Sequence, residues 1–158
     1  MQKRLQKLLE QAYELCEDGN YLRALEYYDI ALDIERNNLN AIIDNGVTLQ
    51  NLGRFNEALL MYEKVLSIET ENLDALINKG SVLHTLKKYS EAISCYDAVL
   101  DHDKRNAMAL AYKGLSIGEM GNIPSAIKYF KKALRMDQDH DLAQTSLLTA
   151  KNILKNMS

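Results

Sequence analysis

The residues of this 158-residue chain whose chemistry could exceed a structural role are three histidines, two cysteines and one acidic run. His84 would need a Cys, His or carboxylate one helical turn away to hold a metal or share a proton, but Lys87 and Lys88 occupy those positions. It reads as a polar surface histidine, and His102 and His140 read as turn residues. The run "DQDHD", Asp137–Asp141, places carboxylates at alternate positions, as a calcium loop begins. Such a loop then needs glycine at its sixth position and an acid at its twelfth. Here these are Leu142 and Leu148. An acidic junction ahead of a helix is the better reading, since acids suit helix N-termini. No "GxxxxGK[ST]", "GxSxG" or "HExxH" string occurs. Carboxylates are spread evenly over polar faces. The expectation is a chain with no catalytic, cofactor or metal site, and not an enzyme.

The elements that must position these side chains are written in the chain four times. "GNYLRALEYYDIAL" begins at Gly19, "GRFNEALLMYEKVL" at Gly53, "KKYSEAISCYDAVL" at Lys87 and "GNIPSAIKYFKKAL" at Gly121. The period is 34 residues, and a period of this size points to a solenoid. The repeats are expected at 5–38, 39–72, 73–106 and 107–140, followed by a capping helix over 141–157. Within one repeat the apolar residues recur at i, i+3, i+4 and i+7 in two runs. Ile42, Ile43, Gly46, Leu49 and Leu52 form one run in the second repeat; Phe55, Ala58, Leu59, Tyr62, Val65 and Leu66 belong to the other. That is helical spacing, and neither run alternates like a strand. Helices of about thirteen residues are marginal alone and need packing partners.

The break between the two runs falls at Gly19, Gly53 and Gly121, where a left-handed C-cap is expected, with Lys87 in that place in the third repeat. Lys87 should form the least comfortable cap. The sole proline, Pro124, sits where a helix starts and its missing N–H costs nothing. Small residues also keep phase: Ala12, Gly46, Gly80 and Gly114 in the first helix, Ala24, Ala58, Ala92 and Ala126 in the second. Tyr28, Tyr62, Tyr96 and Phe130 follow as large wedges. A glycine inside a helix costs about 1 kcal/mol relative to alanine. Three at one phase therefore imply that a neighbour comes too close for a larger side chain.

A small residue, then "G-x-[YF]-x-x-A", then an aromatic and another small residue, on this period, resembles the tetratricopeptide repeat. The resemblance covers residues 5–140. Two positions depart from that pattern. The family's early first-helix aromatic is Leu8, Ile42, Leu76 and Leu110 here, and its junction proline is Arg36, Thr70, Lys104 and Gln138. The resemblance implies an all-α fold, a right-handed superhelical α-solenoid of four helix-turn-helix units, with a concave wall made by the first helices. By phase, that wall should carry Tyr13, then Asn40, Ile43, Asp44 and Val47, then Asp74, Ile77, Asn78, Ser81 and His84, then Tyr112 and Leu115. Amides can bond an extended peptide backbone, aliphatics can take its side chains, and tyrosine gives contact area at low entropy cost. The implied function is a protein–protein interaction adaptor that binds a peptide segment or partner helix in this groove.

Some family members clamp a C-terminal carboxylate with basic side chains and asparagines. The matching positions here would hold Leu9, Tyr13, Asp44, Asp74 and Asn78, or Ile43, Val47, Asn78, Met108 and Tyr112. Asp44 and Asp74 would repel a carboxylate, so a basic or neutral partner is expected. A net charge of −3 argues against a nucleic-acid partner. No apolar window has the length of a membrane span. Cys16 and Cys95 fall in different repeats and read as incidental thiols of a reduced, cytoplasmic protein. The alternative function is a self-assembling structural module, a monomer or weak homo-oligomer, that uses the apolar "LQKLLEQAY" start and Leu148 on its terminal faces. On the capping helix, Ala143, Leu147, Ala150, Leu154 and Met157 are expected to face inward, with Ile153 at the edge.

Overall fold

A computed structural model describes residues 1–158. It is all-α, of the solenoid class. The helices are α1 (Gln2–Glu17), α2 (Tyr21–Ile34), α3 (Leu39–Asn51), α4 (Phe55–Ile68), α5 (Leu73–Thr85), α6 (Tyr89–His102), α7 (Ala107–Glu119), α8 (Ile123–Met136) and α9 (Asp141–Met157). No strand occurs, and no helix is long and apolar enough to cross a membrane. Packing divides the chain into two compact units, Met1–Val82 and Leu83–Ser158.

In the N-terminal unit α1 packs on α2, α2 on α3 and α3 on α4. Ala12, Ala24 and Tyr28 form one buried cluster, with Leu9, Leu15 and Cys16 against it. Gly46 is the clearest case of a position fixed by its neighbour. A Cβ added there would lie 2.7 Å from Cε1 of Tyr62, closer than side chains approach, so the buried tyrosine ring occupies the space alanine would need. In the C-terminal unit α6 packs on α7, α7 on α8, and α9 on both α7 and α8. Gly114 repeats the arrangement, with Phe130 Cε1 2.7 Å from an added Cβ.

The helix boundaries have local causes. Residues 19, 53 and 121 are glycines at positive φ, and Lys87 shares that conformation at φ 62°. After α3 the Arg54 N–H donates to the Leu49 carbonyl and the Gly53 N–H to that of Gln50, which closes the orphan carbonyls. Lys88 and Lys87 make the same pair to Leu83 and His84. The starts of α3, α5 and α7 are set by asparagine. Asn38, Asn72 and Asn106 accept from the backbone N–H of Ala41, Ala75 and Ala109 at 2.9–3.0 Å. His140 takes this place before α9, its Nδ1 accepting from the Ala143 N–H at 3.3 Å. The residue expected to be a plain turn histidine is therefore a helix cap.

The capping helix covers less than expected. Ala143 and Ala150 are buried, and Leu147 packs against Ala126 and Phe130. Leu154 and Met157, expected inside, stay exposed, as does every residue from Lys151 onward. Length accounts for the last turn alone: α9 has 17 residues against 13–14 in α7 and α8, so that turn runs about 5 Å past its supports.

Candidate functional site

Three side chains at equivalent positions of the first helices, Cys16, Gln50 and His84, reach across to the next first helix. Cys16 Sγ and Thr48 Oγ1 share a hydrogen bond at 3.3 Å, Gln50 Nε2 donates to Ser81 Oγ at 3.3 Å, and His84 Nδ1 and Ser116 Oγ lie 2.8 Å apart. The Tyr62 hydroxyl donates to the other end of Gln50 at 3.1 Å. These links hold α1 beside α3, α3 beside α5 and the end of α5 beside α7. The phase reading gave His84 as an open polar histidine. Instead it is half-buried, bonded to the fully buried Ser116, with its ring edge-on to Tyr89 at 5.2 Å. Burial holds its pKa below the ordinary imidazole value, against the opposing pull of Glu119. The bridging side chains keep the 34-residue spacing up to Gly118, but their partners Thr48, Ser81 and Ser116 do not, because Val82 stands at the position equivalent to Thr48 and Ser116.

On the N-terminal unit, Tyr13, Asn40, Asp44 and Asp74 are exposed, while Val47, Asn78 and Ser81 are half-buried. Ile43 and Ile77 are buried and belong to the core in place of the groove. A helix bearing neighbours on both flanks hides a wider arc than the phase count allowed. Asp44 is the electrostatic feature of this surface. Its carboxylate takes part in no hydrogen bond or ion pair, and partial desolvation raises its pKa above the ordinary carboxylate value. The charge acts on the buried phenols of Tyr28 and Tyr62, whose pKa values rise first through burial and further through Asp44. Of the positions in the C-terminal unit, Tyr112 is half-buried with its ring against Tyr96 at 5.8 Å. Leu115 packs beside Phe130 and Ala126.

Polar pairs also lock each second helix to the following first helix. Asn45 Nδ2 donates to Asp29, Lys79 lies 3.9 Å from Glu63, and Lys113 bonds Asp97 with its ammonium over the Tyr129 ring. These pairs recur at the repeat spacing and fix the register of each second helix on the next first helix. No three metal-ligating side chains converge.

Residues 49–113 and 106–140 match two family models, each described as tetratricopeptide repeat. No curated protein matches the sequence. Among solved structures, the fold is similar to that of PilF of Pseudomonas aeruginosa, with a TM-score of 0.86 at 20% identity over 98% of this chain and 71% of that one. A thermophilic TPR protein of Thermus thermophilus gives 0.83 at 19% identity, covering 95% and 82%. MamA of Desulfovibrio magneticus RS-1, from residue 41 to its end, gives 0.77 at 21% identity, covering 97% and 96%. With matched residues running from 49 to 140, the small-against-large helix pairing and these folds, the chain belongs to the tetratricopeptide repeat family.

Proposed function

We propose that this chain is a non-enzymatic protein-interaction scaffold that holds an extended peptide or partner helix against α1, α3 and α5 of its N-terminal unit. Membership of the repeat family supports the general role. The observation that carries the finer reading is Asp44, an exposed carboxylate on this face that forms no side-chain hydrogen bond or ion pair. Asp74 adds a second exposed acid in the first turn of α5. Tyr13 supplies an exposed ring, and Asn40 and Asn78 supply amides that can bond a peptide backbone. The partner is basic or neutral, and protein in place of nucleic acid. Neither Cys16 nor Cys95 is in a disulfide, which suits a cytoplasmic address.

The test is a panel of labelled octapeptides that differ only in two central positions, both Lys or both Glu, measured against the wild type and the Asp44→Lys/Asp74→Lys variant. Two rim pairs at about 0.5–1 kcal/mol each convert to a preference of about five- to thirtyfold for lysine peptides. The double variant should invert that preference with its helicity and melting intact. An unchanged ranking in the folded variant would remove this face from the function.

A second reading has its own observation. Leu5, Leu9 and Tyr13 on α1 share a cleft with Glu10, Glu14 and Glu35, while the exposed end of α9 presents Leu154 and Met157 beside Lys151 and Lys155. Apolar surface with opposite charges on the two faces favours contact between copies of the chain.

A further inference from the structure

The ladder that joins the first helices stops at α7. Cys16, Gln50 and His84 each bridge to the next first helix, but the equivalent position in the fourth repeat is Gly118, which has no side chain to reach α9. At the same place the wedge changes from tyrosine to Phe130. The two changes belong together. In the second repeat the Tyr62 hydroxyl needs the Gln50 side chain as its acceptor. Removing both the hydroxyl and its partner leaves no buried polar group unsatisfied.

What remains is a pocket of about 310 Å³ in the C-terminal unit, between α7, α8 and α9. Its lining includes the apolar Gly118, Ala126, Phe130 and Ala150, with the hydroxyls of Thr145 and Ser146 on α9. An added Cβ on Gly118 meets nothing closer than the Ala126 Cβ at 3.4 Å. The space is therefore open to a side chain, unlike that at Gly46 and Gly114. Glu119 is the one ionisable group on the lining. Its electrostatic neighbour His84 is kept toward the neutral form by burial and supplies little compensating charge. Thr149 closes the α9 side of the mouth, its hydroxyl already donating to the Thr145 carbonyl at 3.0 Å.

We propose that this pocket takes one large apolar side chain of a partner segment that carries a cationic group beside it. The volume lies at the small end of ligand clefts, which suits a single aromatic or aliphatic side chain. A largely apolar lining with one carboxylate selects for an apolar body joined to a positive charge. The site lies in a different unit from Asp44 and stands or falls separately from the peptide face proposed there.

The probe is 2-phenylethylammonium, with 3-phenylpropionate as an anion that shares its phenylethyl body, titrated into ¹⁵N-labelled protein to about 10 mM, a range that reports weak single-anchor binding. The expected result is saturating amide shifts at Gly118, Glu119, Thr149 and Ala150 with the cation, and binding at least about threefold weaker with the anion. Gly118→Gln should fill the pocket and abolish the shifts, and Glu119→Gln should erase the preference for the cation. Thr149→Leu blocks the mouth from an exposed position and serves if Gly118→Gln melts early. Absence of saturating shifts at these amides, or their survival in a folded pocket-filled variant, would overturn the proposal.

Discussion

Lys87 adopts at φ 62° the backbone that glycine adopts at 19, 53 and 121, and it is the only non-glycine residue with positive φ in the chain. Its Cβ crowds the following carbonyl there, a strain of about 1 kcal/mol or more that glycine avoids. The cap hydrogen bonds formed around it, from Lys87 and Lys88 to His84 and Leu83, do not depend on its side chain. Lys87→Gly should therefore stabilise the protein by about 1 kcal/mol and raise Tm by about 2–4 °C in a calorimetric scan. A lowered Tm would mean that the lysine side chain contributes more than its backbone strain costs. This residue was legible in advance because three copies of the repeat stated what the fourth lacked. The wedges against Gly46 and Gly114 were legible for the same reason. Ile43 and Ile77 were not, because helical phase gives a direction around one helix but not how far its neighbours wrap it. His140 shows a different gap. Its side chain caps α9 through a ring nitrogen, a role implied by its alignment with Asn38, Asn72 and Asn106 but masked by the change of residue type.

At the scale of the helices, the links between successive first helices have unequal chemistry. Cys16 meets Thr48, Gln50 meets Ser81, and the third link is the half-buried His84 on Ser116. Only the histidine titrates near neutrality. Its folded pKa is depressed by burial, with Glu119 opposing and the Tyr89 ring and Ser116 hydroxyl against it. The unfolded chain therefore binds the proton more readily than the folded one. Stability from this link is fully present above the unfolded imidazole value of 6.5 and is lost as pH falls below it toward the folded value. Tm should fall between about pH 7.5 and pH 5, and His84→Gln should flatten that fall while the amide keeps a partner for Ser116. An identical pH profile in the glutamine variant would assign the acid sensitivity to other groups. The helices themselves were readable from apolar spacing and from Pro124. The ladder was not, because a polar residue on a first helix looks the same whether it faces water or the next helix.

At the scale of the whole molecule, copies can meet through the α1 cleft and the exposed last turns of α9. The α1 stripe carries Leu5, Leu9 and Tyr13 with three carboxylates, Glu10, Glu14 and Glu35. The last turns of α9 carry Leu154 and Met157 with two ammonium groups, Lys151 and Lys155. Leu154 and Met157 were expected to face inward and instead stay exposed, which leaves these apolar residues available. A contact between two different patches is heterologous, so association should continue past the dimer into rings or open chains. Screening shortens the reach of the charges to about 3 Å at 1 M salt. Sedimentation from micromolar to millimolar concentration should therefore show a mass that climbs beyond the dimer at low salt and climbs less at high salt. Lys151→Glu/Lys155→Glu should hold the chain monomeric. Combining it with Glu10→Lys/Glu14→Lys should restore growth, because the swap returns opposite charges to the same two faces. A strict monomer at millimolar concentration, or growth indifferent to both swaps, would take charge-paired self-association away and leave partner binding to the N-terminal peptide face and the α7–α9 pocket.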